Sequence, residues 1–166
     1  MAIVEFADLE CPACARANPV LQDAVAKYKI PWIRHDFLIP SHIWSRNAAI
    51  KARWFDRQSR ALGDEYRDAV FANQSFIYNL AMLSQFTEKF AADHKVALPF
   101  SVDPDGKLEA AVMADTDLAK RMGLTQTPTV FVVTSGGKVA PYVHVSDIDR
   151  DLFQDIDQAI SDTGSK

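Results

Sequence analysis

The chain has 166 residues, of which 48% are hydrophobic and 24% charged, with a formal net charge of -4. That length suffices for one domain burying roughly 70% of its extended surface, so folding requires no disulfide staples. The mild acidity leaves no basic footprint for nucleic acid, no apolar run approaches a membrane span, and Glu5 and Asp8 interrupt anything resembling a signal peptide. Ala2-Ile3-Val4-Glu5-Phe6-Ala7 is strand-like, with Val4 and Phe6 on one face and Ile3, Glu5 and Ala7 on the other. The chain begins inside this strand, which leads us to expect that a preceding segment was trimmed.

The two cysteines of the chain follow at once, in Cys11-Pro12-Ala13-Cys14. Val20, Leu21, Ala24, Val25 and Tyr28 then recur at helical spacing, so the pair sits where a strand hands over to a helix. The unpaired amides of a first helical turn stabilise an anion, and a thiolate at Cys11 is one. Pro12 suits the first helical position, and Cys14 comes round to the same face as Cys11. Cys11, the exposed thiol, is expected to have a lowered pKa and to act as nucleophile and leaving group, with Cys14 attacking a mixed disulfide at Cys11. Glu5, on an otherwise apolar face, is a candidate for a buried carboxylate that passes protons during exchange, the alternative being an exposed strand end.

Other uses of the cysteines fare worse. A structural disulfide closing so short a loop would contribute only about 2 kcal/mol by loop entropy. Zinc needs two more ligands, and His35, His42, His94 and His144 are not at paired spacing. An all-cysteine iron–sulfur cluster needs four cysteines. No metal or cofactor is expected.

Pro19 should kink the first helix, which should end before Pro31. Residues 32–38 read as a second strand, with Ile33, His35 and Phe37 on one face and Trp32, Arg34, Asp36 and Leu38 on the other, covered on both sides despite its charges. Strand, helix, strand implies a right-handed parallel crossover. Residues 41–123 form an α-helical block. One helix is expected over 45–62; a second starts near Asp64, capped there after Gly63, and carries Tyr66, Val70 and Phe71; a third covers 80–96; Pro99 and Pro104 break the pattern; a fourth runs over 107–122 to a stop at Gly123. Arg46, Arg53, Arg57 and Arg60 form a basic stripe, read as a solvated face in preference to a partner site. Thr129-Val130-Phe131-Val132-Val133 is a buried strand, Ser135-Gly136-Gly137 a turn and 138–145 the returning strand of a hairpin. A closing helix follows, capped by Ser146 with Asp149 at the capping-box position, with an apolar stripe of Ile148, Leu152, Ile156, Ala159 and Ile160; residues 162–166 should fray.

With its strand, CxxC helix, strand, helical block, hairpin and closing helix, the chain resembles the DsbA family of thiol-disulfide oxidoreductases. The likeness rests on Val4-Glu5-Phe6 leading into the cysteines, Arg34-His35-Asp36-Phe37-Leu38 followed by His42, the run from Tyr66 to Gln74 (YRDAVFANQ), and Asp117-Leu118-Ala119 through Gly123 to Thr127-Pro128-Thr129. It implies an α/β thioredoxin-like fold with a mixed sheet, made of residues 1–40 and 124–166, and an inserted helical domain at 41–123. Cys11 would be the surface-facing attacking cysteine, Cys14 the resolving one, and Pro12-Ala13 the dipeptide that helps set the redox potential. Thr127-Pro128 would be a cis-proline turn beside the sulfurs, with the backbone at Gln126 and Thr127 receiving an extended substrate segment. Glu5 matches the family's buried acid, and Pro19 a helix-kinking proline common in the superfamily. Ala13 departs from the histidine or aromatic residue frequent at its position, Gln126 replaces a common glycine, and the strand that the family carries upstream is absent.

The resemblance implies an extracytoplasmic enzyme, periplasmic or secreted and monomeric, donating its Cys11–Cys14 disulfide to cysteine-containing proteins and reoxidised by a redox partner. No residues are spare for the dimerisation domain of the isomerases. A reductase or isomerase role is the first alternative. A glutathione-dependent transferase or isomerase on the same fold is the second, disfavoured by Cys14. A non-catalytic binding module using the groove at Thr127-Pro128 is the third, and it predicts an unreactive pair.

Overall fold

The computed structural model describes residues 1–135 and 141–164. The elements run β1 (Ala2–Ala7), α1 (Pro12–Tyr28), β2 (Trp32–Asp36), α2 (Ser45–Gln58), α3 (Arg60–Asn73), a 3-10 turn (Gln74–Phe76), α4 (Leu80–Asp93), α5 (Lys107–Arg121), β3 (Thr129–Val133), β4 (Tyr142–His144) and α6 (Ile148–Thr163). The four strands form one sheet in the order β2-β1-β3-β4. β1 pairs parallel with β2 and antiparallel with β3, and β3 pairs antiparallel with β4. The mixed sheet and the parallel crossover are those expected.

The period-two pattern of β1 decides what each sheet face meets. Ile3, Val130 and Val132 pack on Ala17, Leu21 and Ala24 of α1 and on Leu152, Ile156 and Ala159 of α6. Phe6 turns the other way, toward Phe37 and Ala119, with Leu118 and Leu124 partly covering that face. A third cluster belongs to the helices, through Trp44, Ala52, Phe55, Tyr66, Val70, Leu83 and Phe90. Leu9, Cys11 and Cys14 are part of it, so the strand-to-helix junction is a seam between sheet and helical block.

Several expected boundaries shift. The helix over 45–62 is two helices, because Ser59 adopts extended backbone (φ -161°, ψ 150°) and accepts a hydrogen bond from the Leu62 amide as the N-cap of α3. Gly63 and Asp64 therefore lie inside α3, not at its start. A Cβ on Gly63 would fall 1.8 Å from Asp56 Oδ1, so the glycine serves close packing of α2 on α3. β2 stops at Asp36: the Phe37 amide still bonds Ala7, but those of Leu38 and Ile39 turn to Thr116 Oγ1 and Asp8 Oδ2. It is an edge strand whose Ile33 is 42% exposed, so it is not covered on both sides as expected.

Arg46, Arg57 and Arg60 of the basic stripe are exposed, as expected of a solvated face, while Arg53 is half-buried. Arg46 meets Glu109, Arg53 meets Asp36 and Asp115, and Arg60 meets Asp64. The carboxylates that meet Arg46 and Arg53 arrive from other elements, whereas Arg60 and Asp64 are an i,i+4 pair within α3. Asp147, not Ser146, caps α6 by accepting from the Arg150 amide. The same helix runs to Thr163, into the first residues expected to fray, and Gly164 takes the left-handed conformation (φ 63°) that closes a helix; residues 165 and 166 of that stretch lie outside the described residues. The expected turn at Ser135-Gly136-Gly137 lies largely outside the described residues, and the returning strand is seen as Tyr142–His144.

Candidate active site

Cys11 is the N-cap of α1 in extended conformation (φ -78°, ψ 119°), with Pro12 opening the helix. Its thiol is pushed down to about 5 by the Cys14 thiol beside it, with help from Thr127 and the amides of Cys14 and Ala13, and against a burial that opposes ionisation. In the thiol form Cys11 Sγ donates to the Thr127 carbonyl at 3.5 Å. Both cysteines are free thiols.

Cys14, one turn in, has no solvent exposure. Burial first, and then Cys11, push its thiol far upward. Two identical side chains three residues apart thus have opposite ionisation tendencies, set by depth and by the hydrogen bond between them, which favours the thiolate at Cys11. Cys11 was expected to face the surface, yet it is only 7% exposed, because its sulfur belongs to the packed cluster with Leu9 and Trp44. It remains the more accessible of the two.

Glu5 lies below the pair, 1% exposed, which rules out an exposed strand end. Burial raises its carboxyl from 4.5 to about 7, against the opposing pull of Arg34 and the Trp32 N–H. Trp32 Nε1 donates to Glu5 Oε2 at 3.0 Å, while Oε1 has no hydrogen-bond partner among the described residues. Glu5 also contributes to the raised pKa of Cys14, so the two groups sense each other's charge.

The Thr127-Pro128 bond is cis, as the resemblance implied. Thr127 and Pro128 are half-buried and Gln126 exposed, and Thr129 Oγ1 closes the turn by donating to the Gln126 carbonyl at 2.8 Å. Pro12 is exposed and Ala13 half-buried. The structure thereby brings Cys11, Cys14, Thr127 and Glu5 together, with Pro12, Ala13, Gln126 and Pro128 on the flanks.

Sequence reasoning missed the residues that hold the junction still. Asp8, 1% exposed, accepts the amides of Glu10 (2.8 Å) and Ile39 (2.7 Å), and its Oδ1 lies 3.0 Å from His42 Nδ1. Glu10 Oε2 takes the amides of Trp44 (2.7 Å) and Ser45 (2.9 Å), which open α2. Gln74 Nε2 donates to the carbonyls of Leu9 (2.8 Å) and Cys11 (3.1 Å). Arg34, His42 and Gln74 lie within the motifs already singled out, but no spacing said what they would touch. Among the described residues, no cluster of His, Cys, Asp or Glu has the form of a metal site.

A family model described as Thioredoxin matches residues 1–140. Among solved structures, alpha-DsbA1 of Wolbachia pipientis superposes with a TM-score of 0.74 at 18% identity, covering 96% of this chain and 85% of that one. A periplasmic thioredoxin-like protein from Salmonella enterica serovar Typhimurium gives 0.73 at 17% identity, over 96% and 84%. DsbA2 of Pseudomonas aeruginosa gives 0.68 at 20% identity, over 97% and 89%. These likenesses concern the fold. The comparison with curated proteins gives no match.

Proposed function

Because the chain belongs to the thioredoxin family, matched over residues 1–140, we propose that it is a thiol-disulfide oxidoreductase of the DsbA type that oxidises cysteine pairs in substrate proteins. The observation that carries this reading is the asymmetry of the pair: a Cys11 thiol drawn down to about 5 at a helix N-terminus, over a Cys14 sealed from solvent and pushed up. A non-catalytic module has no use for that asymmetry.

In the oxidising direction a substrate thiolate attacks Cys11 Sγ of the Cys11–Cys14 disulfide. The new bond joins substrate sulfur to Cys11, the bond to Cys14 breaks, and Cys14 leaves as a thiolate that takes a proton from Glu5. A second substrate thiolate then attacks the first substrate sulfur and expels Cys11 as its stable thiolate. The substrate loses two electrons in forming its disulfide, and the enzyme ends as the dithiol. Favouring the reduced form by stabilising the Cys11 thiolate is what makes such a pair oxidising. Thr127, whose carbonyl faces Cys11, is positioned to pair with the backbone of an extended substrate segment, with Gln126 and Pro128 beside it and Pro12-Ala13 shaping the approach to the sulfur.

The proposed division is a thioredoxin-like unit of residues 1–40 and 124–166 with a helical insertion at 41–123. The proposed partners are cysteine-containing proteins and a redox protein that reoxidises the dithiol, and the proposed setting is the periplasm or the cell exterior. The periplasmic description of the Salmonella structure supports that setting. Equilibration with glutathione tests the direction: an oxidase gives a potential well above that of thioredoxin, and a value near thioredoxin's makes the protein a reductase. A Cys11 that alkylates no faster at pH 6 than free cysteine overturns the catalytic reading altogether.

A further inference from the structure

Arg34 points into the site from β2 and is buried, its side chain 6% exposed. Its Nη2 donates to Asp68 Oδ1 of α3 and to Asn18 Oδ1 of α1, each at 2.7 Å, and Asn18 Nδ2 donates to the same Asp68 oxygen at 3.2 Å. Nη1 faces Asp64, 3.5 Å from its carbonyl and 3.7 Å from its carboxylate. The guanidinium also stacks 3.5 Å over the ring of Trp32, the residue that donates to Glu5. With its terminal nitrogens held this way, Arg34 leaves Nε 3.8 Å from Glu5 Oε2, outside hydrogen-bond reach and without a hydrogen-bond partner among the described residues.

We propose that Arg34, clamped by Asp68 and Asn18, is a positioning residue for Glu5: the clamp holds the guanidinium one step short of the carboxyl, so that Glu5 keeps a proton to exchange with Cys14. This rests on the proposed thiol-disulfide chemistry. An unclamped guanidinium would close on Glu5 as a direct ion pair and fix it as a carboxylate, useless as a proton donor. Asp68 of the clamp comes from α3 in the proposed insertion and Asn18 from α1 in the proposed thioredoxin-like unit, which gives the insertion a chemical part in the site besides covering it.

The other charged groups around Glu5 do not substitute for it. From β2 come Arg34 and Asp36, the latter taken by Arg53 at 2.7 Å. From α3 come Asp64, Asp68 and Arg67, and Arg67 is locked in a two-toothed pair with Asp56 at 2.7 and 2.6 Å. From α1 comes Cys14, and β3 offers only Val130 opposite Glu5. A cavity of about 10 Å³, near the size of one water, is lined by Glu5, Arg34, Asp36, Arg67 and His35, whose Nδ1 lies 3.0 Å from Asp115 Oδ1.

The test is direct titration of the Glu5 carboxyl by carbon-13 NMR on the full chain in the dithiol form, in wild type, Arg34→Met, Arg34→Lys, Asp68→Asn and Asn18→Ala. Removing the cation in Arg34→Met raises the Glu5 midpoint by about one pH unit or more. Asp68→Asn removes a repelling charge and frees Arg34 to approach, so the midpoint falls, and Arg34→Lys stays closer to wild type than Arg34→Met does. Charge alone gives shifts of these signs, so the clamp itself is read from Asn18→Ala, which frees Nη2 without changing any charge and lowers the midpoint as well. Midpoints that do not move, or that move the same way in Arg34→Met and Asp68→Asn, overturn the proposal. Should Arg34→Met fail to fold, Asn18→Ala decides, and an unchanged or raised midpoint in that variant refutes the clamp. Cys11 alkylation on the same samples reports separately on the proposed function, since an ordinary Cys11 in wild type removes the enzyme without touching the Glu5 result.

Discussion

Gln74, just past the end of α3, donates its side-chain amide to the backbone carbonyl of Cys11 at 3.1 Å and to that of Leu9 at 2.8 Å. One side chain of the helical block thus satisfies two carbonyls of the junction that carries the cysteines. The Cys11 carbonyl also accepts the Ala15 amide at 3.1 Å, so Gln74 adds a second bond there and tethers the junction to the helices. Gln74→Ala should lower stability by about 1–2 kcal/mol and broaden the Cys11 environment. Urea unfolding checks the first effect and the Cys11 alkylation rate the second; a variant as stable as wild type with an unchanged rate would show that the carbonyls find other partners.

Cys14 is the main cause of the low pKa of Cys11. Cys14→Ala deletes that hydrogen bond while keeping the helix N-terminus, so alkylation of Cys11 at pH 6 should slow by about tenfold yet stay faster than for free cysteine. A rate profile against pH reads both results. If the variant profile overlays that of wild type, the helix terminus and Thr127 suffice by themselves.

The raised carboxyl of Glu5 carries a stability signature of definite sign. A group whose folded pKa, about 7, exceeds its unfolded value, 4.5, stabilises the fold fully below pH 4.5 and loses that contribution as pH rises through 7. Wild type should therefore lose about 3 kcal/mol more than Glu5→Gln between pH 4 and pH 8. Measuring both proteins as dithiols cancels the titration of Cys11, which runs in the opposite sense. Parallel stability curves would mean that Glu5 titrates as an ordinary carboxylate.

Gly63 sits inside α3, where helix propensity alone favours alanine by about 1 kcal/mol. The added Cβ would meet Asp56 at its side chain (1.8 Å) and its backbone nitrogen (2.9 Å), and that side chain is pinned by Arg67. Overpacking of this kind costs about 1–3 kcal/mol, so Gly63→Ala should be net destabilising. Thermal unfolding with a higher midpoint than wild type would refute the close contact.

Glu10 joins the cysteine junction to the start of α2 by accepting the Trp44 and Ser45 amides. Glu10→Ala leaves two first-turn donors without their acceptor and should cost about 1–2 kcal/mol. Faster hydrogen exchange at Trp44 and Ser45 than at the start of α4, which keeps its Asn79 cap, is the accompanying local effect.

What could be read beforehand follows from which interactions are local. Pro12 after Cys11, the helical recurrence through Tyr28, the run Thr129–Val133 and the stop at Gly123 are settled by backbone preference and periodicity over a few residues, and each stands in the structure. The Ser59 break escaped notice because the apolar periodicity of α2 continues into α3 without a glycine or proline at the boundary. Asp147 took the cap expected of Ser146 because the two are adjacent and both are suited to that role.

The residues from 2 to 14 alone determined that a strand would deliver a cysteine to a helix N-terminus with its partner one turn behind, since local geometry and the field of a single helix suffice for that. Only the tertiary structure decided that Cys11 would be nearly covered, that Glu5 would lie buried with one oxygen unpaired among the described residues, and that Asp68 and Asn18 would bind the Arg34 guanidinium beside it. Those outcomes depend on desolvation and on charges brought from residues far apart in the chain, and neither leaves a spacing that can be read along the sequence.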